Sequence, residues 1–149
     1  MSFFRLEGPG VITKLYFGRP TATAAGSSLV IAEYCGRLLM IYSKVRHGWE
    51  FPGGKALIGE EAEKCALREF QEETGLVLKD LSSLCTFHVD KGDEVHKGTI
   101  FTSSISGFSP KLNSSEILGI GLFCEPPSGI SIKDGYVELM FEILLGRQR

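Results

Sequence analysis

The sequence predicts an α/β fold in which a mixed β-sheet packs between helices. Short β-rich runs recur along the chain, and they are interleaved with one strong central helix and one terminal helix. Such interleaving is typical of an α/β sandwich. With 149 residues, of which 43% are apolar, residues 1–149 are expected to form a single domain with a sizeable core.

The first segment, residues 1–26, is the least regular part of the chain. Val11 to Phe17 is β-rich enough to form a strand, but a Gly-Arg-Pro break and a run of small residues ending at Gly26 follow it. We therefore treat residues 1–26 as a candidate N-terminal extension. Its alternatives, an additional strand or a dimer contact, both stay open.

The remaining elements follow from local patterns. Ser28 to Tyr34 and Arg37 to Tyr42 are β-rich and flank Cys35-Gly36, which predicts a hairpin. Further along, the sequence predicts strands at 84–89 and 99–105, an apolar strand-like run at 117–123, and a closing helix from Asp134 to Leu145 capped by Gly146.

The central helix is predicted from Glu60 to Thr74, a stretch without proline or internal glycine. Gly59 is expected at the N-cap. Glu60 and Glu61 are expected in the first turn, where the helix dipole favours negative charge. Gly75 suits a left-handed C-cap.

This helix carries carboxylates on its apolar side. At about 100° per residue, one broad apolar face is formed by Ala62, Cys65, Ala66, Leu67 and Phe70. Glu69 and Glu73 project from that face, and Glu72 lies at its edge with Arg68 one turn away. A buried ionised carboxylate costs several kcal/mol unless it is paired or binds a metal.

The cluster of Glu69, Glu72 and Glu73 therefore predicts a site for a hard divalent cation. Oxygen-only ligands suit Mg²⁺ or Mn²⁺ better than zinc, which prefers His and Cys. The alternative is an acidic helix whose glutamates face water, and composition alone favours that alternative. The preceding bend at Pro52, Gly53 and Gly54 favours the metal site, because a backbone carbonyl there could complete the metal shell.

These residues resemble the Nudix hydrolase signature. Its fixed positions correspond here to Gly54, Glu60, Arg68-Glu69, Phe70, Glu72-Glu73, Gly75 and Leu76, with every spacing met. The preceding Glu-Phe-Pro-Gly-Gly-Lys is similar to the MutT-type lead-in. The resemblance implies an α-β-α sandwich with a loop–helix–loop motif, and a Mg²⁺-dependent hydrolase of nucleoside diphosphate-linked compounds.

The resemblance also implies roles for individual residues. Glu69 and Glu73 would be the principal metal ligands, with the Gly53 carbonyl as backbone ligand and Glu72 as a further ligand or a neighbour of one. Arg68 would orient the carboxylates, and Glu60 would steady the loop–helix junction. The general base would be a glutamate of the motif or a carboxylate on a later loop, for which Glu116 is the first candidate and Asp93 and Glu94 are the alternatives.

Substrate phosphates need cations. The basic residues nearest to the motif in sequence are Arg37, Lys44, Arg46 and Lys55, and we expect one or two of them to contact phosphate oxygens. For each residue alone, an ordinary surface position is the alternative.

The substrate class follows only from what the chain lacks. Residues 91–93 contain no proline of the ADP-ribose type, no tyrosine lies between Tyr42 and Tyr136, and the coenzyme A signature is missing. The MutT-like pattern remains, which implies a nucleoside triphosphate cleaved to monophosphate and pyrophosphate. A hydrolase of nucleotide sugars or dinucleoside polyphosphates, a non-catalytic nucleotide-binding module, and a purely structural acidic helix are the alternatives.

Net charge and cysteine content limit the classes of partner and the cellular location that the sequence predicts. A net charge of −2 argues against binding a nucleic acid polymer. The four cysteines show no CxxC pairing, which favours free buried thiols in a reducing cytoplasm over zinc or disulfides. The sequence has no signal peptide and no run of 18 apolar residues, so a cytoplasmic protein without membrane contact is expected, with a homodimer left open.

Overall fold

A computed structural model describes residues 2–18 and 26–146 of the chain. The described elements, in chain order, are β1 (Ser2–Gly8), β2 (Val11–Phe17), β3 (Ser27–Tyr34), β4 (Arg37–Ser43), β5 (Gly48–Glu50), β6 (Gly53–Lys55), α1 (Ala62–Thr74), β7 (Leu81–Asp90), β8 (Val95–Ser104), β9 (Ile117–Phe123) and α2 (Tyr136–Leu145). The predicted break at residues 18–20 and the small-residue stretch after it lie largely outside the described residues.

The strands form one mixed sheet. Its main path runs β1-β2-β7-β8-β3-β4-β5, with β6 added to β3 and β9 added to β4. The pairing of β3 with β8 is parallel, whereas β4 pairs with β9 in antiparallel register. The predicted mixed sheet is therefore confirmed.

Strand β4 shows why the fold has three layers. Leu38 and Met40 are buried with α2 on one face, while Leu39 and Ile41 are buried with α1 on the other. Alternate side chains of a strand point to opposite faces, so a continuous apolar run marks a strand covered on both sides. The α-β-α arrangement implied by the resemblance is confirmed.

The sheet opens where the glycine loop enters it. Strands β3 and β4 pair at Glu33 with Leu38 and at Tyr34 with Arg37, next to their turn. Further along, β3 pairs instead with β6, where Leu29 faces Gly53, and the Val30 N–H donates to the Pro52 carbonyl at 2.9 Å. The loop that precedes α1 therefore lies against the sheet rather than above it.

The predicted hairpin is confirmed. Cys35 and Gly36 both have positive φ, 52° and 75°. Two consecutive residues in the left-handed region make the tight turn whose twist matches that of the flanking strands.

Helix α1 departs from the prediction at its first turn. It begins at Ala62 with Glu61 as N-cap, whereas Gly59 lies in the preceding loop with φ of 78°. Glu60 accepts the Leu57 N–H at 2.9 Å, which fixes it as a loop residue outside the helix. The expected Gly59 cap and the expected first-turn position of Glu60 are therefore wrong.

The structure tests three further predictions about the helices. Leu67 is 44% exposed and does not belong to the buried face of α1. Gly75 does adopt the expected left-handed C-cap, with φ of 72°. The closing helix begins at Tyr136 rather than Asp134, because the Asp134 carboxylate accepts the Tyr136 N–H and ends the preceding loop.

The N-terminal segment joins the sheet. Strand β1 pairs with β2, and β2 pairs with β7 along Ile12 to Phe17. Leu15 is fully buried in the core that α2 covers. The alternative of an additional strand is therefore confirmed for Val11–Phe17, and β1 is a strand that the sequence analysis does not predict.

Candidate active site

Small residues dock helix α1 on the glycine loop. The Ser28 hydroxyl donates to the Ala62 carbonyl at 2.8 Å, and the Cys65 thiol donates to the Gly54 carbonyl at 3.4 Å. Ala66 and Phe70 bury the same helix face against the sheet. This docking points the next turns of the helix, which carry Glu69 and Glu73, at the loop.

Glu73 lies in the most buried position of the acidic cluster. Its carboxylate accepts the Gly53 N–H at 2.8 Å. The pKa of Glu73 is raised to about 8, chiefly by burial and also by the charges of Glu69 and Glu50, against the opposing effects of the Gly53 N–H and Arg46. The Gly53 carbonyl is predicted from the sequence to be a metal ligand. The structure shows a contact of the Gly53 N–H with Glu73, and the role of the carbonyl stays a prediction.

Glu69 lies directly on Gly54. A Cβ atom at position 54 would overlap the Glu69 carboxylate, so this close approach requires glycine. Burial raises the pKa of Glu69, while its contact with Arg68 at 3.1 Å lowers it.

Arg68 connects the remaining carboxylates. It makes a two-pronged contact with Glu60 at 2.8 and 2.9 Å and reaches Glu72 at 3.1 Å, and it also donates to the Lys55 carbonyl. The hydrogen bond from Arg68 lowers the pKa of Glu60 to about 2. One guanidinium therefore ties the loop, through Glu60, to the helix, through Glu69 and Glu72.

The fit of this cluster to a divalent cation depends on its donors. Within residues 2–18 and 26–146, no three acidic, His or Cys side chains are gathered as a ready-made metal site. Arg68 contacts Glu72 at the helix surface, where 58% of the Glu72 side chain is exposed, and the role of Glu72 as a metal ligand stays a prediction. Glu69 and Glu73 still fit a hard cation in chemistry, since a divalent ion would relieve the desolvation that raises their pKa values.

A second network borders the same region. Arg46 donates to both carboxylate oxygens of Glu50, at 2.6 to 3.2 Å, and the Ser131 hydroxyl donates to Glu50 at 2.6 Å. Hydrogen bonding to Glu50 raises the pKa of Arg46, and the charges of Glu73 and Glu116 add to this effect. Arg46 therefore lies in an acidic field next to the cluster on α1.

A cavity of about 390 Å³ extends from the glycine loop across the sheet face that α2 covers. Its size suits a nucleotide-sized ligand. The cavity is lined near the loop by Arg46, Glu50, Gly53, Gly54 and Lys55, and further away mainly by apolar residues together with Thr13, Asp134 and Tyr136. Lys91, from the β7–β8 turn, and His96, from the start of β8, line it as well.

Of the four candidate cations, one or two of which are expected to contact phosphates, Arg46 and Lys55 line this cavity. Arg37 is the first residue of β4 and pairs with Tyr34 of β3. Tyr34 lies five residues along β3 from Leu29, which pairs with Gly53, so Arg37 is about 17 Å from the glycine loop. Lys44 is exposed and is held by its backbone N–H, which donates to the Glu116 carbonyl at 2.8 Å. The structure brings neither Arg37 nor Lys44 to the cavity wall.

The three candidates for a downstream base are all exposed and lie outside the cavity lining. Glu116 is exposed outside the cavity lining, although its charge acts on Arg46. Asp93 and Glu94 are exposed in the β7–β8 turn, where Glu94 contacts His96 at 3.2 Å. The choice of base stays a prediction.

Sequence reasoning assigned no role to three polar residues of the site. Glu50 is only 7% exposed, Asp134 4% and Thr13 2%. The one sequence signal for Glu50 was an acid between Trp49 and Phe51 in an apolar strand. Asp134 and Thr13 gave no signal, because their contact joins residues from opposite ends of the chain.

Comparisons with known proteins agree with this geometry. The family model described as NUDIX domain matches residues 23–126. YtkD of Bacillus subtilis (strain 168), provisionally named an 8-oxo-dGTP diphosphatase, is 34% identical over 116 residues, which cover 78% of this chain and 73% of that protein. An RNA pyrophosphohydrolase of Sodalis glossinidius (strain morsitans) is 38% identical over 58 residues, covering 39% of this chain and 33% of its own length.

Among solved structures, the crystal structure of a mutant of the Bacillus subtilis pyrophosphohydrolase BsRppH is similar over 99% of this chain and 98% of its own. The TM-score is 0.79 and the sequences are 27% identical. With the acidic helix seated on its glycine loop and a family model that covers most of the chain, this protein belongs to the Nudix family and is an enzyme of the pyrophosphohydrolase class.

Proposed function

We propose that this enzyme is a Mg²⁺-dependent hydrolase that cleaves a nucleoside triphosphate to the monophosphate and pyrophosphate. One observation carries the proposal: the glycine loop that Glu69 and Glu73 contact also lines a nucleotide-sized cavity. The phosphates would lie at the acidic end and the nucleoside in the cavity.

Glu69 and Glu73 would hold the cation, with Glu72 and the Gly53 carbonyl as further candidate ligands. When bound, Mg²⁺ neutralises phosphate oxygens and makes a bound water more acidic. Arg68 holds the Glu69 carboxylate in place through a contact of 3.1 Å. Arg46 and Lys55, both at the cavity wall, supply positive charge to the substrate phosphates.

A second candidate substrate is the 5′-triphosphate end of an RNA. It is favoured by the similarity to proteins named RNA pyrophosphohydrolases. The chemistry at phosphorus is the same for both substrates. We place the free nucleotide first because an overall net charge of −2 does not favour association with a polyanion.

The proposal is tested with a panel of nucleoside triphosphates, a 5′-triphosphate RNA, ADP-ribose and a dinucleoside polyphosphate, each with Mg²⁺ or Mn²⁺. We expect pyrophosphate release from nucleoside triphosphates, with kcat reduced at least about 100-fold in Glu73→Gln, because a principal cation ligand is lost. The matched control is Glu63→Gln, an exposed glutamate in the first turn of the same helix. Turnover by the RNA alone would select the second candidate, and binding without turnover of any compound would indicate a non-catalytic module.

A further inference from the structure

Arg46 at the cavity wall is held by a buried carboxylate. Arg46 lies in the turn between β4 and β5, and its Nε and Nη2 atoms donate to both oxygens of Glu50 at 2.6 to 3.2 Å. The side chain of Glu50 is 10% exposed, whereas that of Arg46 is 58% exposed. A buried carboxylate requires a partner, and a two-pronged contact fixes the orientation of a guanidinium as well as its position. The position of Glu50 therefore determines the position of the Arg46 guanidinium.

Ser131 is a further partner of Glu50. Its hydroxyl donates at 2.6 Å to Oε2 of Glu50, the oxygen that also accepts the Nε–H of Arg46. Ser131 lies beyond residues 23–126, which the family model matches. A serine that follows the matched segment thus contacts a carboxylate within it, and a hydrogen-bonded chain runs from Ser131 through Glu50 to Arg46.

The backbone of Ser131 is tied to strand β5. The Trp49 N–H donates to the Gly129 carbonyl at 2.8 Å, and the Ser131 N–H donates to the Trp49 carbonyl at 3.1 Å. A Cβ atom at Gly48 would overlap the Ser131 backbone, so the two segments lie in close contact. Residues 129–131 therefore follow β5 closely and fix the position of the serine.

Arg46 keeps donors that its contact with Glu50 does not use. Its Nη1 atom makes no hydrogen bond to any residue within 2–18 and 26–146. Arg46 also lines the cavity together with Gly53, Gly54 and Lys55, so a ligand there can reach the guanidinium. Planar guanidinium groups with available N–H donors bind phosphate oxygens in a defined geometry.

On the basis of the proposed function, we propose that Ser131 and Glu50 are positioning residues that hold Arg46 ready to bind a phosphate oxygen of the substrate. An exposed arginine on a turn has many rotamers, and their loss on binding costs free energy. Holding the side chain beforehand removes part of that cost. Removing the Ser131 hydroxyl would weaken this hold while leaving the charges of Arg46 and Glu50 unchanged.

The first test is the kinetics of Ser131→Ala with the triphosphate that the wild type hydrolyses best. We expect KM to rise about 5-fold, with kcat within about 2-fold of the wild type, because substrate binding is weakened without a change in the reacting groups. Ser131→Thr keeps a hydroxyl and should restore a KM within about 2-fold of the wild type. Ser128→Ala, at an exposed serine of the same loop, is the matched control and should leave KM and kcat unchanged.

A double-mutant cycle tests whether Ser131 acts through Arg46. Arg46→Ala alone should raise KM at least about 10-fold. Adding Ser131→Ala to that variant should change KM by less than about 2-fold, because the side chain that the serine positions is already absent. A serine that only held residues 129–131 on β5 would raise KM by the same factor in both backgrounds, and that result would overturn the inference.

Arg46→Lys is a variant that keeps a cation beside Glu50, so the carboxylate is not left without a partner. Lysine cannot make the two-pronged contact, and KM should rise at least about 5-fold although the charge is conserved. A wild-type KM for Arg46→Lys would overturn the inference even if Arg46→Ala or Ser131→Ala does not fold.

A binding measurement separates this inference from the proposed function. The probe is the α,β-methylene analogue of ATP, titrated calorimetrically with Mg²⁺. Weaker binding by Ser131→Ala but not by Ser131→Thr supports the inference even if no triphosphate is hydrolysed. An unchanged KM for Ser131→Ala, in an enzyme that releases pyrophosphate, overturns the inference and leaves the proposed function intact. A wild type that neither hydrolyses a triphosphate nor binds the analogue would overturn both.

Discussion

At the scale of single residues, the acidic cluster contains two kinds of carboxylate. Glu60, paired with Arg68, has its pKa lowered to about 2, while burial raises the pKa of Glu73 to about 8. Environments that push the pKa values of neighbouring acids apart are typical of catalytic sites. Under the proposed function, this separation favours a structural role for Glu60 and a role as cation ligand for Glu73.

Glu73 should make the metal-free protein less stable as pH rises. Its pKa is about 8 when folded and near 4.5 when unfolded, so between these values the folded state binds more protons and the free energy of unfolding falls with increasing pH. We expect a loss of about 2 kcal/mol between pH 5 and pH 8, less than the full pKa difference would give because the side chain is partly exposed. Urea unfolding in EDTA measures it.

The control for this effect is Glu73→Gln, which cannot titrate and should show a flatter profile over the same pH range. The titration of Glu60 does not contribute between pH 5 and pH 8, because its lowered pKa affects stability only in more acidic solution. Adding millimolar Mg²⁺ at pH 8 should restore stability to the wild type. Parallel pH profiles of the two proteins would contradict the burial of Glu73 as the cause.

At the scale of elements, the sequence predicted the part of the site that one helix carries. A period of 3.6 residues fixes the face on which Glu69 and Glu73 lie, and the glycines before the helix predicted a close approach. The helix start was missed because Glu60 resembles a first-turn residue until its bonds to Leu57 and Arg68 are seen. Residue types and their spacing do not show which of these side-chain hydrogen bonds form.

The close contact of the Glu69 carboxylate with Gly54 predicts the effect of the Gly54→Ala substitution. The added methyl group would overlap the Glu69 carboxylate and displace it, so we expect kcat to fall at least about 10-fold while the protein stays folded. Activity assays and circular dichroism measure the two effects. Gly107→Ala is the control, because open space surrounds a Cβ atom at that position. Equal activity of both variants would show that the Glu69 position is not needed.

At the scale of the whole molecule, the cavity joins distant segments. The sheet splits between β3 and β4 and admits the glycine loop, while β2 and the segment before α2 also contribute lining residues. Sequence reasoning predicted the layers because apolar runs predict buried strands. It could not predict the contact of Thr13 with Asp134, since nothing local links residues that far apart.

The four cysteines were expected to be buried thiols. Cys65 and Cys85 are buried, whereas Cys35 and Cys124 are exposed.

Within the described residues, neither helix is long and apolar enough to span a bilayer. The architecture depends instead on the core that the sheet shares with its two helices, and the N-terminal hairpin contributes to that core through β2.

If the hairpin is integral to the fold, Leu15→Ala should destabilise the whole protein. Leu15 is fully buried between β7 and α2, so its truncation removes apolar contacts and leaves a cavity, at a cost of about 2–5 kcal/mol. Urea denaturation should show one cooperative transition at a lower midpoint. Val77→Ala, at a position 72% exposed, is the control and should change the free energy of unfolding by less than about 0.5 kcal/mol. A separate early transition, or a loss as small as that of the control, would mean that the hairpin detaches without unfolding the domain, and that the wall holding Asp134 is not a fixed part of the site.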